Sequence, residues 1–242
     1  MVQRPLKFVK YLPEFGWLPT VISTNVPFND QGWDAGLVAE IPPSVTVHRP
    51  PTPQPKPVDC LAGAVGWRGN RRDGKVLGPP QDSAIAAPAV RQSPAVKLRR
   101  ALLAPGYLVQ NPPVDGAIYW ALSVIPLARR LIERDRIDAI LTTSAPWSSL
   151  IVGAVLQRLT GIPWLADFRD PWTEDSAVYQ GAGWRRHVDR RLERHLPARA
   201  RAITTTTGSL AQGIRGWLGS DTSGREVHVV TNGWDPEDFR AE

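Results

Sequence analysis

The chain has 242 residues, with 29 Lys+Arg against 23 Asp+Glu, giving a net charge of +6. Its 42% hydrophobic and 21% charged residues exclude global disorder, and a single cysteine, Cys60, excludes a disulfide scaffold or a cysteine-rich zinc site. The longest apolar run, Ala117 to Ala128, is interrupted by Ser123 and Pro126 and is too short to span a membrane.

In chain order, Leu6, Val9 and Leu12 stand at helical spacing, and Pro13 and Gly16 close that helix. Two short β-like runs follow, Thr20–Ser23 and Ser44–His48, so residues 1–48 read helix, strand, loop, strand. Residues 49–93 break the pattern. They hold Pro50, Pro51, Pro53, Pro55, Pro57, Pro79, Pro80 and Pro88 among Gly, Arg and Asp, and read as a long, partly disordered loop. Within it, 69–76 nearly spells a phosphate-binding P-loop. Val76 stands where Ser or Thr must hold magnesium, and no strand and helix flank the run.

Residues 94–231 carry regular alternation. Trp120, Val124, Leu127 and Leu131 define one long helix with Pro126 inside. Asp138–Thr143 is a strand. Ser144 is read as the cap of the next helix, with Pro146 in its first turn and Gly161 and Pro163 at its end. Pro163–Asp167 is a strand, followed by a charged helix with a Trp184, Val188, Leu192, Leu196 stripe. Then come the strand Arg201–Thr206, a helix through Leu210, Ile214 and Trp217, and the strand Glu226–Thr231. Consecutive strand–helix units imply an α/β fold, a doubly wound parallel sheet whose ligands bind beyond the carboxyl ends of the strands.

The residues at those ends are the candidates. Thr142–Ser149 offers hydroxyls and N–H groups at a helix start, suited to a sugar or an anion or to plain capping. Asp167-Phe168-Arg169-Asp170-Pro171-Trp172 is the densest polar cluster. Two readings stand side by side: Arg169 orients one acid while the other serves as base or polyol acceptor, or the pair is structural and Trp172 is core. Thr231-Asn232-Gly233-Trp234-Asp235 is a sharp turn. His48, His187, His195 and His228 have no zinc spacing, and no Gly-x-Ser-x-Gly elbow supports a hydrolase. The basic stretch 185–195 suits anionic lipid or a solvated helix face, and no nucleic-acid-binding module is present.

Taken in order, Thr142–Pro146, Gly161–Thr173 and Thr231–Asp235 resemble the N-terminal half of GT-B glycosyltransferases of the family 4 type, and Lys7–Ser23 is similar to that family's first helix and second strand. The resemblance implies a Rossmann-like acceptor-side domain facing a nucleotide-sugar-binding partner domain across a cleft. It implies hexosyl transfer with retention to a glycan or lipid-linked acceptor, with no metal and no other cofactor. Asp170 and Arg169 would line the cleft as catalytic residues. Ser144, Pro146, Asp167 and Trp172 would sit on the acceptor side, and Asn232 and Gly233 near the donor phosphates, with 232–242 starting the crossover to a donor domain. Measured against the family, the first strand and its Gly-rich loop are expected to be missing, with a defective edge near Thr20–Ser23 and a chain inactive on its own. A non-catalytic subunit of a two-chain transferase, or an inactive remnant, are the alternatives. The expected location is cytoplasmic, with peripheral contact at the inner face of the membrane.

Overall fold

A computed structural model describes residues 3–25, 34–53, 113–174, 179, 183–219 and 225–239. All fall in one of the chain's two compact units, Met1–Gln54 with Pro113–Glu242; the other, Pro55–Pro112, lies outside the described residues, as do the P-loop-like run and most of the proline-rich stretch. The described elements are α1 (Gln3–Tyr11), β1 (Thr20–Ile22), α2 (Ala35–Ala39), β2 (Thr46–His48), α3 (Ile118–Asp135), β3 (Ile140–Ser144), α4 (Ser148–Thr160), β4 (Trp164–Phe168), α5 (Trp184–His195), β5 (Ala202–Thr205), α6 (Gly208–Leu218) and β6 (Glu226–Val229). The six strands lie where the alternating runs put them. The short helix α2 occupies part of what the sequence suggested was loop.

Strands β3 to β6 form a parallel sheet in simple order, with β4 and β5 at its centre. β4 is buried at Trp164, Ala166, Asp167 and Phe168, as a strand covered on both faces should be. Around it pack Val124 and Ala128 of α3, Leu150 and Leu156 of α4, Ile203 of β5 and Ile214 of α6. Gly153 of α4 lies against Trp164, and a Cβ there would stand 2.2 Å from the indole. The glycine lets the helix approach the largest side chain in the core. Pro126 and Leu122 lie on the wet side of α3, so the carbonyl that proline leaves unbonded meets water.

β1 and β2 form a separate parallel pair, with Thr20 opposite Thr46. Among the described residues β1 therefore pairs on one side only, and so does β3. Ile22 still packs on the main core.

Two expected details are corrected. Ser144 does not cap α4. It ends β3, fully buried, and donates to the Asp167 carbonyl at 3.2 Å, while the first α4 amide, Ser148 N–H, donates to Asp115 Oδ2 at 3.0 Å. Asp115 reaches the helix start from 33 residues upstream, a partner that no local pattern reveals. In α5 the expected apolar stripe is only part of the inner face: Val188, Leu192 and Leu196 are half-buried and Leu196 packs on the core, but Trp184 is 53% exposed, and the enclosed residues of the helix are Asp189 and Glu193. Each acid has hydrogen-bond donors waiting for it, which removes the usual penalty for burying a carboxylate.

Candidate functional site

The carboxyl edge of the main sheet is organised by one row of side chains. Register places Thr143 of β3 beside Asp167 of β4 and Asp167 beside Thr204 of β5. Both threonines donate to the carboxylate, Thr143 Oγ1 at 2.8 Å and Thr204 Oγ1 at 2.6 Å. Arg4 of α1 completes it, with Nη2 at 2.7 Å from Oδ1 and Nε at 3.0 Å from Oδ2. Asp167 is fully enclosed and Arg4 nearly so. Its oxygens are met by protein donors, so Asp167 acts here as a fixed organiser beneath the surface. The same guanidinium donates to the Val230 carbonyl at 2.8 Å and to Asn232 Oδ1 at 3.2 Å, joining β4 to the segment after β6.

Helix α1 continues that contact along its length. Lys7 Nζ lies 2.7 Å from Glu40 Oε2, 2.9 Å from Asp235 Oδ2 and 2.6 Å from Asp238 Oδ1. Lys10 Nζ and Tyr11 O–H also donate to Asp235, at 2.8 and 2.6 Å. Hydrogen bonds from Lys10, Tyr11 and Lys7 hold the Asp235 carboxyl far below the ordinary carboxylate range. Burial works against the Lys7 ammonium, but its bonds to Asp238, Glu40 and Asp235 outweigh it and its pKa is raised. Glu40, Asp235 and Asp238 come close enough to suit a cation, and the Lys7 ammonium stands among them.

Three residues beyond Asp167, the loop after β4 reaches the surface. Asp170 is about half exposed and its Oδ2 accepts from Arg169 Nε at 3.1 Å. Arg169 is almost buried, and its carbonyl accepts from Thr206 Oγ1 at 2.7 Å, which ties the loop to the end of β5. Trp172 is 2% exposed, in keeping with the core reading of that ring. It stacks on half-buried Trp147 at 5.6 Å between centroids and 4° between planes. Pro146, Asn232 and Gly233 are exposed, and Ser144 is enclosed.

The candidates thus separate into two layers. Ser144, Asp167, Arg169 and Trp172 build the floor, while Pro146, Asp170, Asn232 and Gly233 face outward. A family model described as a glycosyl transferase 4-like domain matches residues 9–233. The chain belongs to the glycosyltransferase 4-like domain family. A search of curated proteins gives no match. In this glycosyltransferase domain no described helix is long and apolar enough to cross a membrane.

Sequence reasoning missed Arg4, Lys7, Lys10, Asp189 and Glu193. The Thr143–Asp167–Thr204 row was accessible in principle, because aligning the last residues of three parallel strands puts these side chains in one line. Nothing local announces Arg4, whose partners lie 163 and 228 residues away.

Proposed function

We propose that this domain presents the acceptor in hexosyl transfer from a nucleotide-sugar to a glycan or lipid-linked hydroxyl, with the donor held mainly by a partner domain. The observation that carries the reading is the division of labour between two acids. Asp167 is saturated by Arg4, Thr143 and Thr204, whereas Asp170 is half exposed at the carboxyl edge and steadied by Arg169. A carboxylate in that position accepts a hydrogen bond from a sugar hydroxyl and orients it for attack on the anomeric carbon. Pro146, Asn232 and Gly233 are the other outward-facing candidates, and the last two lie in an extended segment instead of the expected turn. The reading invokes no metal.

Peripheral membrane contact belongs to the same proposal. On α5, Arg186, Arg190, Arg191 and Arg194 are exposed while the acids Asp189 and Glu193 face inward, so the outer surface of the helix is more basic than its composition.

The test is ligand-observed NMR on the full chain with methyl glycosides, short oligosaccharides and nucleotide-sugars. Saturation transfer to the neutral glycosides is expected, and Asp170→Ala should remove it. Tight nucleotide-sugar binding that ignores Asp170, with no glycoside binding, would overturn the acceptor-side assignment.

A further inference from the structure

α5 carries two fully enclosed carboxylates four residues apart, and each reaches a backbone segment outside the helix: Glu193 the loop after β4, Asp189 the turn before α3. Glu193 Oε1 accepts from Trp172 N–H at 2.9 Å and Thr173 N–H at 3.2 Å, and Oε2 from Thr173 N–H at 3.2 Å and from the Thr173 hydroxyl. No cation pairs with it among the described ion pairs. Asp189 Oδ1 accepts from Val114 N–H at 2.8 Å, and Oδ2 accepts from Tyr179 O–H at 2.6 Å with Arg185 Nε at 3.5 Å.

The segment that Asp189 grips is conformationally costly. Val114 is buried, yet its φ is +75°, in a region that β-branched residues avoid. Such a backbone persists where its surroundings over-determine it, and the Asp189 carboxylate on its N–H is part of that hold. The next residue, Asp115, spans from Ala117 N–H, at 3.0 Å, to Ser148 N–H at the start of α4. Ser148 directly follows Trp147, the outer ring of the indole stack. One helix therefore fixes both sides of the carboxyl edge: Glu193 holds the loop bearing Asp170, and Asp189 holds the strained turn that seats α4 and Trp147.

We propose that Glu193 and Asp189 are positioning residues for the sugar-handling loops, with α5 serving as the brace that sets Asp170 and Trp147 relative to the sheet. The proposal rests on the acceptor-side reading of Asp170. Carboxylate-to-backbone bonds in an enclosed site are stronger than neutral ones, and removing the acceptor leaves two N–H groups buried without partners.

The experiment is amide hydrogen exchange by NMR on the full chain, comparing wild type, Glu193→Met, Asp189→Leu and Arg194→Gln as an exposed control on the same helix. An amide isostere would keep one oxygen on the N–H donors, because Glu193 Oε1 takes both amides and Asp189 Oδ1 takes Val114, so these variants replace the whole carboxylate with an apolar group of similar size. Glu193→Met should raise exchange of the Trp172 and Thr173 amides at least tenfold, and Asp189→Leu should do the same at Val114. Protection of the β4 and β5 amides should stay unchanged, and the near-ultraviolet circular dichroism of the Trp147–Trp172 pair should alter in both variants. Glu193→Asp, too short to reach both amides, should not restore protection. A uniform loss of protection across β4 and β5 would make the acids merely structural and overturn the proposal, as would no change at the named amides. The readout involves no sugar, so loss of glycoside binding with these couplings intact would sink the function and leave the brace standing.

Discussion

Replacing Gly153 with alanine gives opposite answers from the helix and from the core. In helix terms alone, Gly→Ala in a mid-helix position is worth about 1 kcal/mol of added stability. The geometry opposes this. The new methyl would lie 2.2 Å from Trp164 Cε2 and Nε1 and 2.7 Å from Cζ2. Comfortable carbon contacts are ~3.5–4.0 Å, so the indole or the helix must retreat by more than ~1 Å. Trp164 is fully buried and its Nε1 donates to Thr142 Oγ1 at 2.9 Å, so retreat also strips an enclosed donor. Overpacking costs about 1–3 kcal/mol and an orphaned buried donor a similar amount, which leaves a net destabilisation of about 3 kcal/mol after the helix gain. For a chain of this size that lowers the melting temperature by roughly 6–12 °C. Differential scanning calorimetry of Gly153→Ala measures it. Trp164→Leu removes the ring atoms that clash, so adding Gly153→Ala to Trp164→Leu should cost far less than adding it to wild type. A Gly153→Ala protein as stable as wild type would refute the packing argument.

Two further outcomes follow from the α1 contacts. Arg4→Met keeps the apolar stem and strands the enclosed Asp167 carboxylate with two threonine donors; the expected loss in urea denaturation is about 3 kcal/mol, at the low end for breaking a buried pair, and Asp167→Asn in the same chain should recover part of it. A loss below ~1 kcal/mol would show that the guanidinium is not needed there. For Asp235 the folded pKa is depressed, so its stabilisation is complete above the ordinary carboxylate value of about 4 and is lost as pH falls below it. Limited proteolysis should find the 232–239 segment resistant at neutral pH and cleavable under acid. In Asp235→Asn it should be cleavable at both, and a segment equally resistant in both proteins would show that the Asp235 contacts to α1 do not hold it.

Periodicity exposed the strands well, because β3 to β6 pair parallel and in sequence order, so local pattern and global topology agree. The sequence singled out the loop residues Arg169 and Asp170 for the same reason: in parallel sheets the candidate residues come directly after the strands. The failures share a different cause. α5 was read by its apolar residues, but its buried seam includes Asp189 and Glu193, whose burial depends on amides at Val114, Trp172 and Thr173. Asp115 on α4 and Arg4 on Asp167 likewise depend on partners far along the chain. A charged residue carries no mark in the sequence of whether such a partner awaits it.

The reach of α1 has a consequence for how the chain is made. Lys10 and Asp235 are 225 positions apart, and Arg4 and Asn232 are 228 apart. At ribosomal speeds of about 5–20 residues per second, Lys10 leaves the ribosome roughly 10–45 seconds before Asp235 exists. A nine-residue helix is too short to hold its shape alone in water for that interval. α1 is therefore made long before it can settle fully, and Lys10 stays open to other acidic partners until the segment after β6 emerges to claim it.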